Sequence, residues 1–344
     1  MSKVTLLEVS ERAGVSRSTA SLVLRGSTRI SEETAQRVRQ AMTELGYVYN
    51  RQAANMRQSQ TMTLGLIATD IRNPYFAEVT MAVEEVVHNA GYTLFVGYNL
   101  DSLERQREQV EAMVQRQVDG LILLPAIGST RDSFGQFVWT SGVPIVQISR
   151  SFSDELDYVG PDNFAAAESV ARHIVALGSS SAVLIGGPEG SSARRERVEG
   201  LSAGFAGSPV RFDPSGSVAT PNVPDGGARG LGEYLEAGHF PDTVICYSDA
   251  VAQGVYGELR RRNLEPGNAI SVVSFDDLPL AALQHPPLTS VATYPETIGR
   301  IAAEMLLQRI ADDSAPHQHR LVDTTLKIRA STALWRPRGM GIGR

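Results

Sequence analysis

The sequence predicts a two-part protein: an all-α helix-turn-helix headpiece at the N-terminus, then a bilobed α/β core of two parallel, doubly wound sheets. Three observations carry this. Residues 5–46 hold three short apolar patterns of helical period with turn signals between them. From residue 62 the pattern changes to short apolar runs alternating with amphipathic helices, as in parallel sheets flanked by helices. The apolar runs number roughly ten, too many for one comfortable sheet, so two similar lobes are expected.

The first helix opens with Thr5 and Glu8, a capping box in which each side chain satisfies a backbone N–H of the helix start. Leu6, Val9 and Ala13 form its apolar stripe. Gly14-Val15-Ser16 breaks the pattern: Gly14 turns the chain, Val15 plugs the core and Ser16 caps the next helix. In the second helix Thr19, Ala20, Val23 and Leu24 face inward, leaving Arg17, Ser18, Ser21 and Leu22 on the other side. That outer face is short, polar and cationic at its N-terminal end, the character of a helix that meets base edges in a major groove. The third helix is capped by Ser31, carries Ala35, Val38, Met42 and Leu45 as its stripe, and stops at Gly46. The structural alternative is a small three-helix cap, which the Arg/Ser recognition face argues against.

The expected boundaries are 1–49 for the headpiece, 50–61 for a linker, 62–332 for the core and 333–344 for a disordered tail. In the core, strands are expected at 64–68, 93–97, 120–124, 144–148, 182–185, 244–247 and 270–275, with a short one near 210–212. Helices are expected at 74–90, 103–118, 163–178, 191–206, 228–237 and 250–263.

The net charge of −6 by itself argues against a nucleic-acid partner, but its distribution does not. Residues 1–60 carry nine Lys and Arg against five Glu, a balance of +4, and the other residues carry −10. One cysteine, Cys246, rules out a disulfide within the chain. No apolar segment suggests a signal peptide or membrane span, so a cytoplasmic protein is expected.

The runs VTLLEVSERAGVSRSTASLVL and RISEETAQRVRQAMTELGYVYN resemble the DNA-binding headpiece of the LacI/GalR family of bacterial repressors. The resemblance continues in family order through NRQAANMR, LGLIATDIRNPYF, VDGLILLP, VGPDN, SVVSFDD, PPLTSV and KIRAST. It implies a periplasmic-binding-protein-like core, a homodimer and double-stranded operator DNA as partner, with no cofactor and no metal. The DNA-contacting set implied is Thr5, Leu6, Ser16, Arg17, Ser18, Thr19, Ser21, Leu22, Arg25, Arg29, Tyr47, Asn50, Ala53 and Met56. Arg17 and Ser18 stand where half-site preference is set. Leu22 replaces a common arginine and limits that position to apolar contact, for example with a thymine methyl. Arg25 replaces a common asparagine and suits phosphate. Met56 replaces the leucine with which a hinge helix wedges the minor groove. Leu22 and the NRQA start resemble the family's maltose-repressor branch.

Ligands of doubly wound sheets bind beyond the carboxyl ends of strands. Polar residues just after the apolar runs are therefore the effector candidates: Asp70, Asn73, Tyr75, Phe76, Ser149, Arg150, Arg197, Ser248, Asp249 and Asp276. Each alone is as readily a helix cap or a solvated charge. Together they offer carboxylates and guanidinium groups for hydroxyls and an aromatic for a ring face, pointing to a sugar or sugar derivative. By resemblance, Arg197 and Asp276 match the inducer-binding arginine and aspartate, Ser149 replaces an aspartate, and Tyr75-Phe76 match an aromatic pair of purine-binding members. A purine or sugar phosphate acting as co-repressor is the alternative. No phosphate-loop, dinucleotide, nucleophile-elbow or metal motif suggests an enzyme, and His317-Gln318-His319 reads as a solvated loop. A periplasmic sugar receptor is countered by the headpiece.

Overall fold

A computed structural model describes residues 4–24, 27–47 and 60–332. The chain divides into two compact units, residues 1–61 and 62–344.

The first unit contains α1 (Leu6–Arg12), α2 (Arg17–Leu24) and α3 (Glu32–Leu45). The capping box forms as expected: Glu8 accepts the Thr5 N–H at 2.6 Å and Thr5 Oγ1 accepts the Glu8 N–H at 3.4 Å. Ser16 Oγ accepts the Thr19 N–H at 3.1 Å, and Gly46 ends α3 at φ 64°, a left-handed cap that glycine adopts without steric cost. Val9, Ala13, Ala20, Val38 and Ala41 are the buried centre. The expected stripe of α3 forms: Ala35 and Val38 are buried, Met42 and Leu45 are half-buried and packed against the core, as is Val15, and Ala41 widens the stripe by one buried position.

The second unit begins with a lobe made of β1 (Thr63–Ala68), α4 (Pro74–Asn89), β2 (Thr93–Tyr98), α5 (Leu103–Gln115), β3 (Gly120–Leu123), α6 (Gln136–Thr140), β4 (Ile145–Ile148) and β5 (Asp157–Pro161). The chain then crosses into a second lobe: α7 (Asn163–Ala176), β6 (Ser181–Ile185), α8 (Ser192–Phe205), β7 (Arg211–Phe212), α9 (Pro224–Glu236), β8 (Thr243–Cys246), α10 (Asp249–Arg261), β9 (Ser271–Asp276), α11 (Pro279–Leu283) and β10 (Thr289–Ala292). It returns to the first lobe with α12 (Pro295–Ala311) and β11 (His319–Val322), and crosses a third time to β12 (Thr325–Lys327).

Each lobe is a six-stranded sheet, in the orders β11-β5-β4-β3-β1-β2 and β12-β10-β9-β8-β6-β7. All pairings are parallel except that of β12 with β10. Parallel sheets must be covered on both faces, and each is. One side of the first sheet packs on α4 and α12, with Leu64, Val83, Ile298 and Leu306 buried, and the other on α5 and α6 around Ile67, Val110 and Val138. The second sheet lies between α9–α10 and α7–α8.

Several boundaries differ from expectation. The helix expected from 228 starts at Pro224, taking two glycines into its first turns, and the one expected to reach 118 stops at Gln115. β5, β10, β11, β12, α11 and α12 add to the elements that the sequence predicts. His319, read as part of a solvated loop, opens β11 and packs edge-on against Tyr158 with ring centroids 5.9 Å apart. Cys246 is buried in β8 as expected.

Candidate functional site

In the headpiece, Thr5, Arg17, Ser18 and Arg29 are exposed, as is Ser16; Leu6, Thr19, Ser21, Leu22 and Tyr47 are half-buried. α2 thus presents Arg17 and Ser18 fully at its N-terminus, the end at which a recognition helix meets bases, and Leu22 in part more than a turn further along. Arg12 is held by Glu44 at 2.7 Å and Arg39 by Glu32 at 2.9 Å. Arg25, Asn50, Ala53 and Met56 lie outside the described residues, as does the tail from residue 333.

In the core, topology fixes where side chains converge. The first sheet reverses its winding between β1 and β3, the second between β6 and β8, and the crevices beyond those strand ends are open to ligands. A cleft of about 650 Å³ lies there, drawing Asp70, Asn73 and Phe76 from the segment after β1, Asp101 and Arg150 from the same lobe, and Pro188, Thr220, Asn222 and Ala250 from the other.

The local sequence explains each placement. Asp70 folds the turn before α4, accepting the Arg72 N–H at 2.9 Å, and is gripped by the Arg72 guanidinium at 2.5 Å. Arg72 hydrogen bonding holds the Asp70 carboxyl below its ordinary range. Asn73 caps α4 through the Tyr75 N–H, and Pro74 occupies the first helical position, where its missing N–H costs nothing. Phe76 then reaches the cleft. Tyr75 does not line it: its ring sits edge-to-face on Phe76 at 5.2 Å, and its hydroxyl pairs with Ser149 Oγ at 2.8 Å.

Arg150 is 6% exposed. Its Nη1 donates to Asp101 Oδ1 at 2.6 Å and to the Pro125 carbonyl at 3.3 Å. Burial opposes its charge, but Tyr247 across the cleft and Asp101 outweigh that and raise its pKa.

The remaining candidates form a deeper, largely self-satisfied layer. Arg197 lies between the rings of Tyr247 and Phe275, 4.7 and 4.2 Å from their centroids, and donates to Asn163 Oδ1 at 2.9 Å and to the Tyr247 carbonyl. Ser248 caps α10 and donates to Asn222 Oδ1. Asp249 accepts from Ser290 Oγ at 2.7 Å and the Leu278 N–H at 2.8 Å, so its carboxylate ties strand ends together rather than facing the cleft. Asp276 is buried beside it. Burial, then the charge of Asp249, push its carboxyl well above the ordinary range, with Arg197 opposing. Burial raises Asp249 to about 6 despite its donors. Around Arg197 the structure also gathers Asn163, Tyr247 and Phe275, which the sequence reading does not single out, although each lies at or just beyond the carboxyl end of its strand, β5, β8 and β9. Thr220 also escaped notice, a buried hydroxyl in the cleft wall without a hydrogen-bond partner among the described residues.

Among the described residues no group of three or more His, Cys, Asp or Glu side chains is placed to hold a metal, and no helix is long and apolar enough to cross a membrane.

Comparison with known proteins adds to this geometry. Residues 5–50 match the family described as bacterial regulatory proteins, lacI family, and residues 171–332 match a periplasmic binding protein-like domain; together these cover more than half of the chain. The maltose regulon regulatory protein MalI of Escherichia coli K12 is 28% identical over 334 residues, 94% of this chain and 97% of that protein. The transcriptional repressor CytR of the same organism is 27% identical over 330 residues, 95% of this chain and 96% of its own. Among solved structures, a CelR–cellobiose complex has a TM-score of 0.72 at 26% identity, covering 96% and 100% of the two chains. A Lac repressor dimer bound to operator and an anti-inducer superposes at 0.83 with 23% identity, covering 96% and 99%, a likeness of fold.

Proposed function

Because the chain belongs to the lacI family of bacterial regulatory proteins and is a DNA-binding transcriptional repressor rather than an enzyme, we propose that it acts as a dimer. In this reading a sugar or sugar derivative in the interlobe cleft releases it from a pseudo-palindromic operator of carbohydrate-utilisation genes. The observation that carries the ligand class is the cleft itself. Its size suits one or two sugar rings, Phe76 and the proline-rich opposite wall cover an apolar ring face, and Asp70, Asp101, Arg150 and Asn222 surround it with directional polar groups. Tyr75, buried and tied to Ser149, is not free to stack on a purine.

A second copy is supported by apolar side chains left on the surface: Met81 on α4, Phe95 and Val96 on the edge strand β2, and Leu280 and Leu283 on α11. Of the expected DNA contacts, Arg17 is proposed to read a guanine and Leu22 a thymine methyl, with the hinge formed within residues 50–61.

Fluorescence anisotropy on an operator selected from random DNA, repeated with sugars, sugar phosphates and purines, tests the reading. Release by a sugar or its derivative supports it. Tightening by a purine makes the protein a co-repressed regulator instead, and a selection that yields only steeply salt-dependent, sequence-blind binding removes the headpiece assignment.

A further inference from the structure

Three amide side chains, Asn99, Gln106 and Gln147, are fully buried behind Arg150 and do not line the cleft themselves. A polar group is kept in such a place only where it is bonded, and an amide carries a donor and an acceptor on one head. The bonds of these three go to the segments that carry Arg150 and its acceptors.

The chain between β2 and α5 is strained. Leu100 and Asp101, both on the cleft wall, have φ of 50° and 57°. Side chains seldom adopt this left-handed conformation, which persists where the surroundings impose it. The Asn99 and Leu100 N–H groups donate to the Ala68 and Thr69 carbonyls, each at 2.9 Å, and so hang the turn on the end of β1. Asn99 Oδ1 accepts the Asp101 N–H at 2.9 Å, and Asn99 Nδ2 donates to the Leu124 carbonyl, also at 2.9 Å. Gln106, near the start of α5, holds the next part of that second segment. Its Oε1 accepts the Ala126 N–H at 2.6 Å, and its Nε2 donates to Ser129 Oγ at 2.8 Å.

Pro125 is thereby fixed on both sides, by Asn99 at Leu124 and by Gln106 at Ala126. Asp101 and the Pro125 carbonyl are the two acceptors that Arg150 Nη1 meets, so the Asn99–Gln106 pair sets both. Gln147 secures the other end: Oε1 accepts the Phe152 N–H and Nε2 donates to the Ser153 carbonyl, each at 2.8 Å, folding back the loop that begins with Arg150.

We propose that Asn99 and Gln106 are positioning residues for effector recognition, acting through Arg150 without touching the ligand. This rests on the cleft being the effector site.

Phenylglyoxal, which attacks accessible guanidinium groups, tests the positioning in the full-length protein when modified sites are mapped by mass spectrometry. Arg150 and Arg309 are both buried, and Arg309, paired with Asp157 in the same lobe, is the control. Gln106→Met keeps the bulk and removes both bonds; Asn99→Ala removes the other pair. Each should speed modification of Arg150 about tenfold and leave Arg309 as slow as before. Release of both arginines together, or of neither, overturns the proposal. Calorimetric titration with ribose, maltose and cellobiose tests the use of that positioning. A sugar that binds should bind about tenfold more weakly to Gln106→Met. In an Arg150→Met background the same substitution should change its affinity less than about twofold. Equal losses in the two backgrounds overturn the route through Arg150 while the cleft reading stands. If none of the three sugars binds the wild type, the cleft reading falls and the recognition role with it, whatever the modification rates show.

Discussion

Asp249 and Asp276 are two carboxyls buried within one site, and their protonation belongs to the stability of the fold. Burial raises Asp249 to about 6, above the range of a carboxyl in an unfolded chain. The folded state therefore holds its proton to higher pH than the unfolded state. This group's contribution is fully present below the unfolded value near 4 and is lost as pH rises through about 6. Asp249→Asn should remove that loss. Melting temperatures across pH 4.5–7.5 should show the variant gaining on the wild type as pH rises through this window, then running parallel; a constant offset would mean that burial does not perturb Asp249. Arg197 is a second case where the residue does more than its expected role. Its guanidinium is clamped by two rings, Asn163 and the Tyr247 carbonyl. Arg197→Ala should abolish the effector response with operator affinity nearly intact, and should also cost roughly 2–4 kcal/mol of stability, because Asn163 and a carbonyl lose a buried partner. Calorimetric melting together with anisotropy separates the two effects.

The helices of the core meet in close-packed pairs, and glycine sets how close they come. A Cβ on Gly254 of α10 would lie within bonding range of the Pro224 carbonyl at the start of α9, and one on Gly227 of α9 would sit 2.1 Å from the Val251 carbonyl. These are backbone atoms, which cannot step aside singly. Gly254→Ala should therefore push α9 outward, and since Asn222, Val223 and Pro224 line the cleft, effector affinity should fall by tenfold or more while operator affinity holds. Anisotropy with and without effector decides this; unchanged effector affinity would mean that the pair relaxes without moving the cleft. The same glycines show where the sequence misleads. Gly226-Gly227 looks like a breaker, so the helix was expected to begin at 228; in three dimensions it is the condition for packing. Much else was legible. The capping box, the left-handed Gly46, and strand–helix alternation through β9 follow from local period and turn chemistry. β11 and β12 did not, because they are short edge strands whose side chains mostly face out and carry no apolar pattern. Nor did β5, where Asp, Gly and Pro imitate a turn. Its Asp157 is buried because Arg309 meets it with two bonds, at 2.9 and 3.1 Å, from 152 residues away. Neighbouring residues contain no trace of such a partner.

At the scale of the molecule, the charge is divided between the units, with a basic headpiece region on an otherwise acidic chain. In the proposed reading, phosphate attraction belongs to the basic residues of 1–60, with specificity assigned to base contacts and to the proposed hinge within 50–61. Met56→Gly should reduce operator affinity more than affinity for random DNA; equal losses in parallel titrations would show that Met56 contributes no sequence-dependent contact. Effector and operator are also bound to influence each other reciprocally, so a ligand that weakens DNA binding by some factor must bind the DNA complex more weakly by the same factor.

The three crossings between the lobes also fix the order in which the protein can be built. The first lobe needs α12 to cover one face of its sheet and β11 to complete its edge, and both follow all of the second lobe in sequence except its edge strand β12. During synthesis, Leu64, Val83 and their neighbours emerge some two hundred residues before Ile298 and Leu306, the residues that bury them. The growing chain must carry an uncovered apolar face until its last segments leave the ribosome, so a truncation that spares every cleft residue before 295 still leaves the first lobe without its lid.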